Sequence, residues 1–220
     1  MLHDKLTPLQ RRILHVLSRL TPRWTLTGGA ALAGVYLGHR ATRDLDLFWR
    51  SRPALGDAAS EAQVLLRGED LDVVVLRTTP TFGQLRVSDG DDVCIVDLVA
   101  EPFAPIEPPV QAKIGDAEIA VDSMHEILAA KLTALLGRTE LRDLIDVQAL
   151  MDAGADLVAA LRDAPKKDAG FSVLTLAWVL RSFEVRPLTR ALGWSDEMTE
   201  GAEAFRHHLI DRLTQIARPG

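Results

Sequence analysis

Residues 26–49 read LTGGAALAGVYLGHRATRDLDLFW. Two glycines, Gly28 and Gly29, precede a small-residue apolar run, and two aspartates, Asp44 and Asp46, bracket a leucine in a second apolar run. Residues two apart on a strand project to the same face, so Asp44 and Asp46 point together while Leu45 and Leu47 face the other way. Paired carboxylates on a strand repel each other and resist burial unless a cation compensates them. The glycines lack Cβ atoms, which lets a phosphate chain approach the backbone N–H groups at the start of the next helix. The stretch therefore predicts an extended piece in "WTLTGG", a helix over "AALAGVYLG" and a strand over "DLDLFW".

Working outward, "TPLQRRILHVLSRL" places Leu9, Ile13, Val16, Leu17 and Leu20 at helical spacing, with Thr7 as N-cap and Pro8 as first helical residue. "ALGDAASEAQVLLRG" predicts a helix and "LDVVVLRTT" a strand. "FGQLRVS" and "VCIVDLVAE" flank "DGD", and "PVQAKI" and "AEIAV" flank "GD", which is hairpin chemistry. After Asp122 the pattern turns helical through "SMHEILAAKLTALLG", "ELRDLIDVQALMDAG", "DLVAALRDA", "SVLTLAWVLRSFE" and "EGAEAFRHHLIDRLTQIA". The expected architecture is α/β (α+β): a mixed-sheet domain over residues 1–121, then a helical domain over 122–220.

Bulk properties agree with a folded enzyme-sized protein. The chain has 220 residues, 47% hydrophobic and 25% charged, enough to bury a core. Its apolar runs are too short to span a bilayer and its start lacks a signal-peptide core, so a cytoplasmic protein is expected. The single cysteine, Cys94, excludes an internal disulfide framework and reads as a core residue of a strand. A net charge of −6 gives no global footprint for nucleic acid, so an RNA substrate would need a local basic patch.

Carboxylates on one strand face suit Mg²⁺ or Mn²⁺, hard ions that combine one or two carboxylates with water and substrate phosphates. Asp97, alone in the otherwise apolar "VCIVDLVA", is the candidate third ligand, whereas Asp72 lies at a strand end where solvated charge is common. Singly, each feature has a plainer reading: "DLD" as a solvated strand edge, the glycines as a strand end, Asp97 as an arginine's partner. Jointly, in this order, they specify in-line attack on a nucleotide phosphate assisted by two metals.

These residues resemble the nucleotidyltransferase superfamily with the DNA polymerase β-like fold, and more narrowly the AbiEii/AbiGii toxin family, also called MenT-type toxins. The matching features are the helix-opening Gly-Gly, hydrophobic-Asp-hydrophobic-Asp on the next strand, a third Asp on a later strand, and the basic and hydroxyl run "GHRATRDLDLF" with Arg40 and Thr42. The later "SMHEILAAKLTALLGRTELRDLIDVQAL" is similar to that family's lysine helix followed by an Arg-Asp helix. Many superfamily members carry a serine where this chain has Gly29, so hydroxyl contacts to a triphosphate fall to Thr27 or Thr42. The resemblance implies transfer of a nucleoside monophosphate from an NTP to an acceptor hydroxyl, often the tRNA 3′ end, by a toxin countered by an antitoxin. Asp44, Asp46 and Asp97 would hold the metals, and Gly28 and Gly29 would seat the triphosphate.

Lys131 sits inside the apolar stripe of Met124, Ile127, Leu128 and Leu135. Either its stem packs while its ammonium snorkels to water, or it reaches the triphosphate and neutralises the leaving pyrophosphate. Arg142, Asp143 and Asp146 share a polar helix face; Arg142 and Asp146 have salt-bridge spacing, and the resemblance implies a nucleotide-pocket role, with Arg138 a weaker candidate. Trp24, Trp178 and Trp194 are expected to pack. Lys166 and Lys167 are candidate contacts to a nucleic-acid backbone, and Arg138, Arg142, Arg181, Arg186 and Arg190 offer the helical half a basic surface. Rival readings are transfer to a small molecule such as an aminoglycoside, transfer to a protein hydroxyl, and a catalytically silent nucleotide-binding module.

Overall fold

The computed structural model describes residues 5–218. The chain divides into two compact units that meet between Met124 and His125.

In the first unit, α1 (Pro8–Leu17) is opened by a capping box. The Thr7 hydroxyl accepts the Gln10 N–H at 3.1 Å, and the Gln10 side chain accepts the Thr7 N–H at 2.9 Å. There follow β1 (Thr25–Thr27), α2 (Gly28–Ala31), β2 (Asp44–Arg50), α3 (Ala58–Arg67), β3 (Asp72–Thr78), β4 (Phe82–Asp89), β5 (Asp92–Glu101), β6 (Val110–Ile114) and β7 (Ala117–Val121). They form one mixed seven-stranded sheet in the order β3-β4-β5-β2-β1-β7-β6. β2 runs antiparallel to β1 and parallel to β5, and β1 runs parallel to β7. The β4–β5 and β6–β7 hairpins turn at Gly90 and Gly115, both at φ +59, where "DGD" and "GD" predict them.

One face of this sheet is the core. Leu45, Leu47 and Trp49 of β2 pair in register with Val96, Leu98 and Ala100 of β5, and all six are buried. Gly83, opposite Leu98, lies against Ala59 of α3, which places that helix on the same face. Cys94 belongs to this core as expected, and burial pushes its thiol up to about 12, leaving it protonated and inert. The other face carries residues 44, 46, 48, 50, 95, 97 and 99, all half-buried.

The helix expected over "AALAGVYLG" differs from its simplest form. One α-turn passes into a π-turn, Leu32–Tyr36, where the Leu37 and Gly38 N–H groups both bond the Leu32 carbonyl at 2.8 and 3.0 Å. Gly34 lies in that turn because a Cβ there would meet the Leu6 side chain at 2.5 Å.

The second unit is helical: α4 (Met124–Gly137), α5 (Leu141–Asp152), α6 (Leu157–Asp163), a 3₁₀ turn (Ala164–Lys166), α7 (Val173–Ser182), α8 (Val185–Ala191) and α9 (Asp196–Ile216). Asp156, Ser172 and Ser195 cap α6, α7 and α9 through their side-chain oxygens. The Ser195 cap starts α9 ahead of the expected Glu200. α8 is not expected from sequence because it contains Pro187, but that proline stands in the first turn, where the missing N–H has no helical partner to lose. α5, α7 and α8 all pack on α9.

Two expectations are corrected here. Trp24 packs and donates its indole N–H to the Leu17 carbonyl at 2.7 Å, but Trp194 is half-buried and Trp178 is 67% exposed. The apolar stripe of α7 is wider than its buried face, so Leu176, Ala177 and Leu180 are buried while Leu174 and Trp178 are not. Lys167 is not a surface contact for nucleic acid: its ammonium pairs with the fully buried Glu126 carboxylate, and Lys166 pairs with Asp163 at 2.7 Å. No helix among the described residues is long and apolar enough to cross a membrane.

Asp163 also holds His125 Nε2 at 2.9 Å. The hydrogen-bonded Lys166 ammonium, then His125, lowers its carboxyl to about 2. A lowered carboxyl stabilises the fold above its unfolded-chain value near 4 and loses that contribution as pH falls towards 2. Acid unfolding followed by circular dichroism is therefore expected to show a stability loss between about pH 4 and 2 that Asp163→Asn reduces.

Candidate active site

The half-buried face of the sheet brings three of the four polar strand candidates into one row. Thr27 of β1 is in register with Asp46 of β2, Asp46 with Asp97 of β5, and Asp97 with Gln84 of β4. Neighbouring strands lie about 5 Å apart. Two carboxylates at that spacing near a protein surface repel by roughly 3 kcal/mol. Asp44 is two residues from Asp46 on the same face, beside Ile95.

Gln84 donates from Nε2 to Asp97 Oδ1 at 2.9 Å and so fixes the orientation of that carboxylate. The sequence reading missed it, although the "DGD" turn held the signal. The turn sets Asp89 opposite Asp92, and that register carries Gln84 to Asp97. Gln10 is a second missed residue. Having capped α1 through its carbonyl, it donates Nε2 to the Thr42 carbonyl at 3.0 Å and anchors the approach to β2.

The two glycines have different reasons. Gly28 has φ +65, and a Cβ on it would lie 2.3 Å from Asp46 Oδ2. Both the left-handed backbone and the adjoining carboxylate exclude a side chain there. Gly29 makes room for the basic run: a Cβ would meet Arg40 Nη2 at 2.9 Å and Thr42 Oγ1 at 3.3 Å. This accounts for the departure from serine at position 29, since the Arg40 guanidinium and the Thr42 hydroxyl stand where that side chain would go. Thr42 is buried, and its hydroxyl also accepts the Asp44 N–H at 3.4 Å.

Three carboxylates with a nearby hydroxyl are a hard-oxygen donor set, which suits Mg²⁺ or Mn²⁺ better than zinc or copper. Among the described residues, no group of three or more His, Cys, Asp or Glu side chains is gathered closely enough to hold a metal. Asp44, Asp46 and Asp97 therefore share a face, with Asp46 and Asp97 in register, without forming a ready coordination sphere.

Within the second unit, Lys131, Asp143 and Asp146 are buried together. The Lys131 ammonium lies 2.7 Å from Asp143 Oδ1 and 2.7 Å from Asp146 Oδ2, so it does not snorkel to water. Arg138 adds Nε to Asp143 Oδ2 at 3.0 Å. The polar face expected on α5 is thus mostly interior. Arg142 is exposed at its flank and pairs with Glu140 at 2.5 Å. Two cations and two carboxylates make a balanced cluster, and removing one partner of such a pair leaves a buried charge uncompensated.

Comparison with known proteins follows the same lines. The family model described as nucleotidyl transferase AbiEii toxin, Type IV TA system, matches residues 12–212. The fold is similar to that of MenT4, a nucleotidyltransferase toxin from Mycobacterium tuberculosis H37Rv, with TM-score 0.61, 18% identity, and coverage of 96% of this chain and 82% of that one. It is also similar to a candidate nucleotidyltransferase from H. pylori, with TM-score 0.55, 19% identity and coverage of 99% and 97%. JHP933 from Helicobacter pylori gives TM-score 0.52 at 18% identity, covering 94% and 91%. No curated protein matches the chain.

Two stability measurements check these placements. Lys131→Ala is expected to cost about 3–5 kcal/mol in urea unfolding, as a broken buried pair does; a change under about 0.5 kcal/mol would mean an exposed lysine. Gly28→Ala is expected to cost at least about 1–2 kcal/mol from its φ alone. Gly29→Ala should cost less, because it meets the movable end of an arginine.

Proposed function

We propose, from the premise that the chain belongs to the nucleotidyl transferase AbiEii toxin family, that it transfers a nucleoside monophosphate from an NTP to an RNA 3′ hydroxyl. The tRNA 3′ end is the acceptor this reading favours. The observation that carries the reading is the contact between the two halves of the motif. The left-handed turn at Gly28 closes directly on the Asp46 carboxylate, so a phosphate-seating loop and an acidic strand form one place.

In this reading Gly28 and Gly29 expose backbone N–H groups to the triphosphate, with the Arg40 guanidinium beside them and Thr27 and Thr42 supplying hydroxyls. Asp44, Asp46 and Asp97 are the carboxylates for two divalent ions. When bound, those ions neutralise phosphate charge and make the acceptor hydroxyl more acidic. Asp97, oriented by Gln84, faces the acceptor and favours loss of its proton. The acceptor oxygen bonds to the α-phosphorus as the bond to the departing pyrophosphate breaks. Lys131, Asp143 and Asp146, with Arg142 at their flank, form a closed charge cluster within the helical unit, and the transfer step is assigned to the residues of the first unit. The family label supports a toxin whose action in the cytoplasm is countered by a cognate antitoxin.

The test is incubation of the full chain with labelled NTPs, Mg²⁺ and total RNA. Label is expected in RNA, abolished by EDTA and restored by Mg²⁺ or Mn²⁺. Asp46→Ala is expected to lower it at least about a hundredfold. Nucleotide binding without label in RNA, protein or small acceptors would overturn the enzyme reading. Label confined to protein or to a cationic small molecule would overturn the RNA acceptor.

A further inference from the structure

Trp178 is a large apolar group left in water. On α7 the exposed positions are 174, 175, 178, 181 and 182, a single helical stripe, so Arg181 stands one turn from Trp178 on the same face. α8 begins after two connecting residues and presents Arg186 and Arg190, one turn apart and both exposed. Arg186 lies five positions after Arg181, which keeps their Cα atoms within about 17 Å.

The charge here is opposite to that of the chain. Residues 173–192 hold three arginines and a single acid, Glu184, whereas the whole chain is at −6. Arg138, Arg142, Arg162 and Arg206 of the same unit each sit on a carboxylate. Among the described residues, Arg181, Arg186 and Arg190 form no ion pair. An exposed aromatic plane with one unpaired guanidinium a turn away on its own helix, and two more exposed on the next helix, offers the recognition chemistry of single-stranded nucleic acid, whose bases stack and whose phosphates take arginines. A duplex keeps its base faces covered and cannot use the indole in this way.

We propose that the exposed surface of α7 and α8 binds single-stranded nucleic acid through Trp178, Arg181, Arg186 and Arg190. The nucleotidyl-transfer reading supplies only the identity of the strand, as the acceptor whose end is extended. Leu174, 61% exposed beside the tryptophan, would also suit an apolar protein partner. The three unpaired arginines favour the polyanion.

The experiment measures binding of fluorescein-labelled twelve-nucleotide single strands, RNA and DNA, and of a matching duplex. It uses the full chain carrying Asp46→Ala, so that the probe is not extended. Trp178→Ala is expected to weaken single-strand binding about tenfold or more, and Trp178→Phe to restore most of it. The triple variant Arg181→Ala, Arg186→Ala, Arg190→Ala is expected to reduce the slope of log affinity against log salt by about 2. Equal binding of RNA and DNA supports recognition by stacking and charge; tighter binding of RNA supports the same surface with added 2′-hydroxyl contacts. The proposal is overturned if both variants bind as the parent does, or if polyglutamate of equal charge competes as well as RNA. It is also overturned if Trp178→Ala dissolves a dimer without changing nucleic-acid affinity. Failure of this surface and failure of the transfer reading are separable. RNA binding that needs Trp178, with no label ever incorporated, rejects only the transfer; incorporation with no need for Trp178 rejects only the surface.

Discussion

The empty volume beside Gly28 controls the candidate site. A carbon there would sit 2.3 Å from Asp46 Oδ2, so the loop and the acidic strand close on each other only because nothing stands between them. That closeness puts the glycine turn against one of the two carboxylates, so backbone and charge share the same small space on a half-buried sheet face. The parallel pairing of β2 with β5 does the rest, because it brings Asp97 level with Asp46. A one-residue slip of that register would send Asp97 into the core and Val96 or Leu98 to the site.

Burial of charge follows a different logic in the helical unit. Lys131 with Asp143 and Asp146, and Lys167 with Glu126, are interior ions matched locally. Such pairs contribute little net stability because desolvation offsets their attraction, but each is costly to break. They restrict how α5 and the segment after the 3₁₀ turn align on α4 more than they strengthen the unit.

Much of the fold was legible because it rests on local rules. The Thr7-Pro8 start, the "DGD" and "GD" turns and the strict alternation of "DLDLFW" each have a short-range physical cause, and each stands where the sequence places it. What escaped depends on partners distant in sequence. Gln84 matters through a residue across a hairpin, Gln10 through a carbonyl 32 positions on, and Trp178 through the absence of a neighbour that its helical period leads one to expect. α8 escaped for a local reason, since a proline argues against a helix unless its place in the first turn is known. For Lys131 the unusual location on an apolar stripe is visible in the helical spacing, and only the fold supplies its two carboxylate partners.

The space at position 29 has a consequence for how chains of this kind can diverge. A side chain there and the guanidinium of Arg40 compete for one volume, since a Cβ at position 29 would lie 2.9 Å from Arg40 Nη2. The guanidinium is the movable end of a flexible side chain, so it yields the space by turning aside while the backbone stays where it is. A residue larger than glycine at position 29 therefore changes where Arg40 points before it changes whether the loop can form.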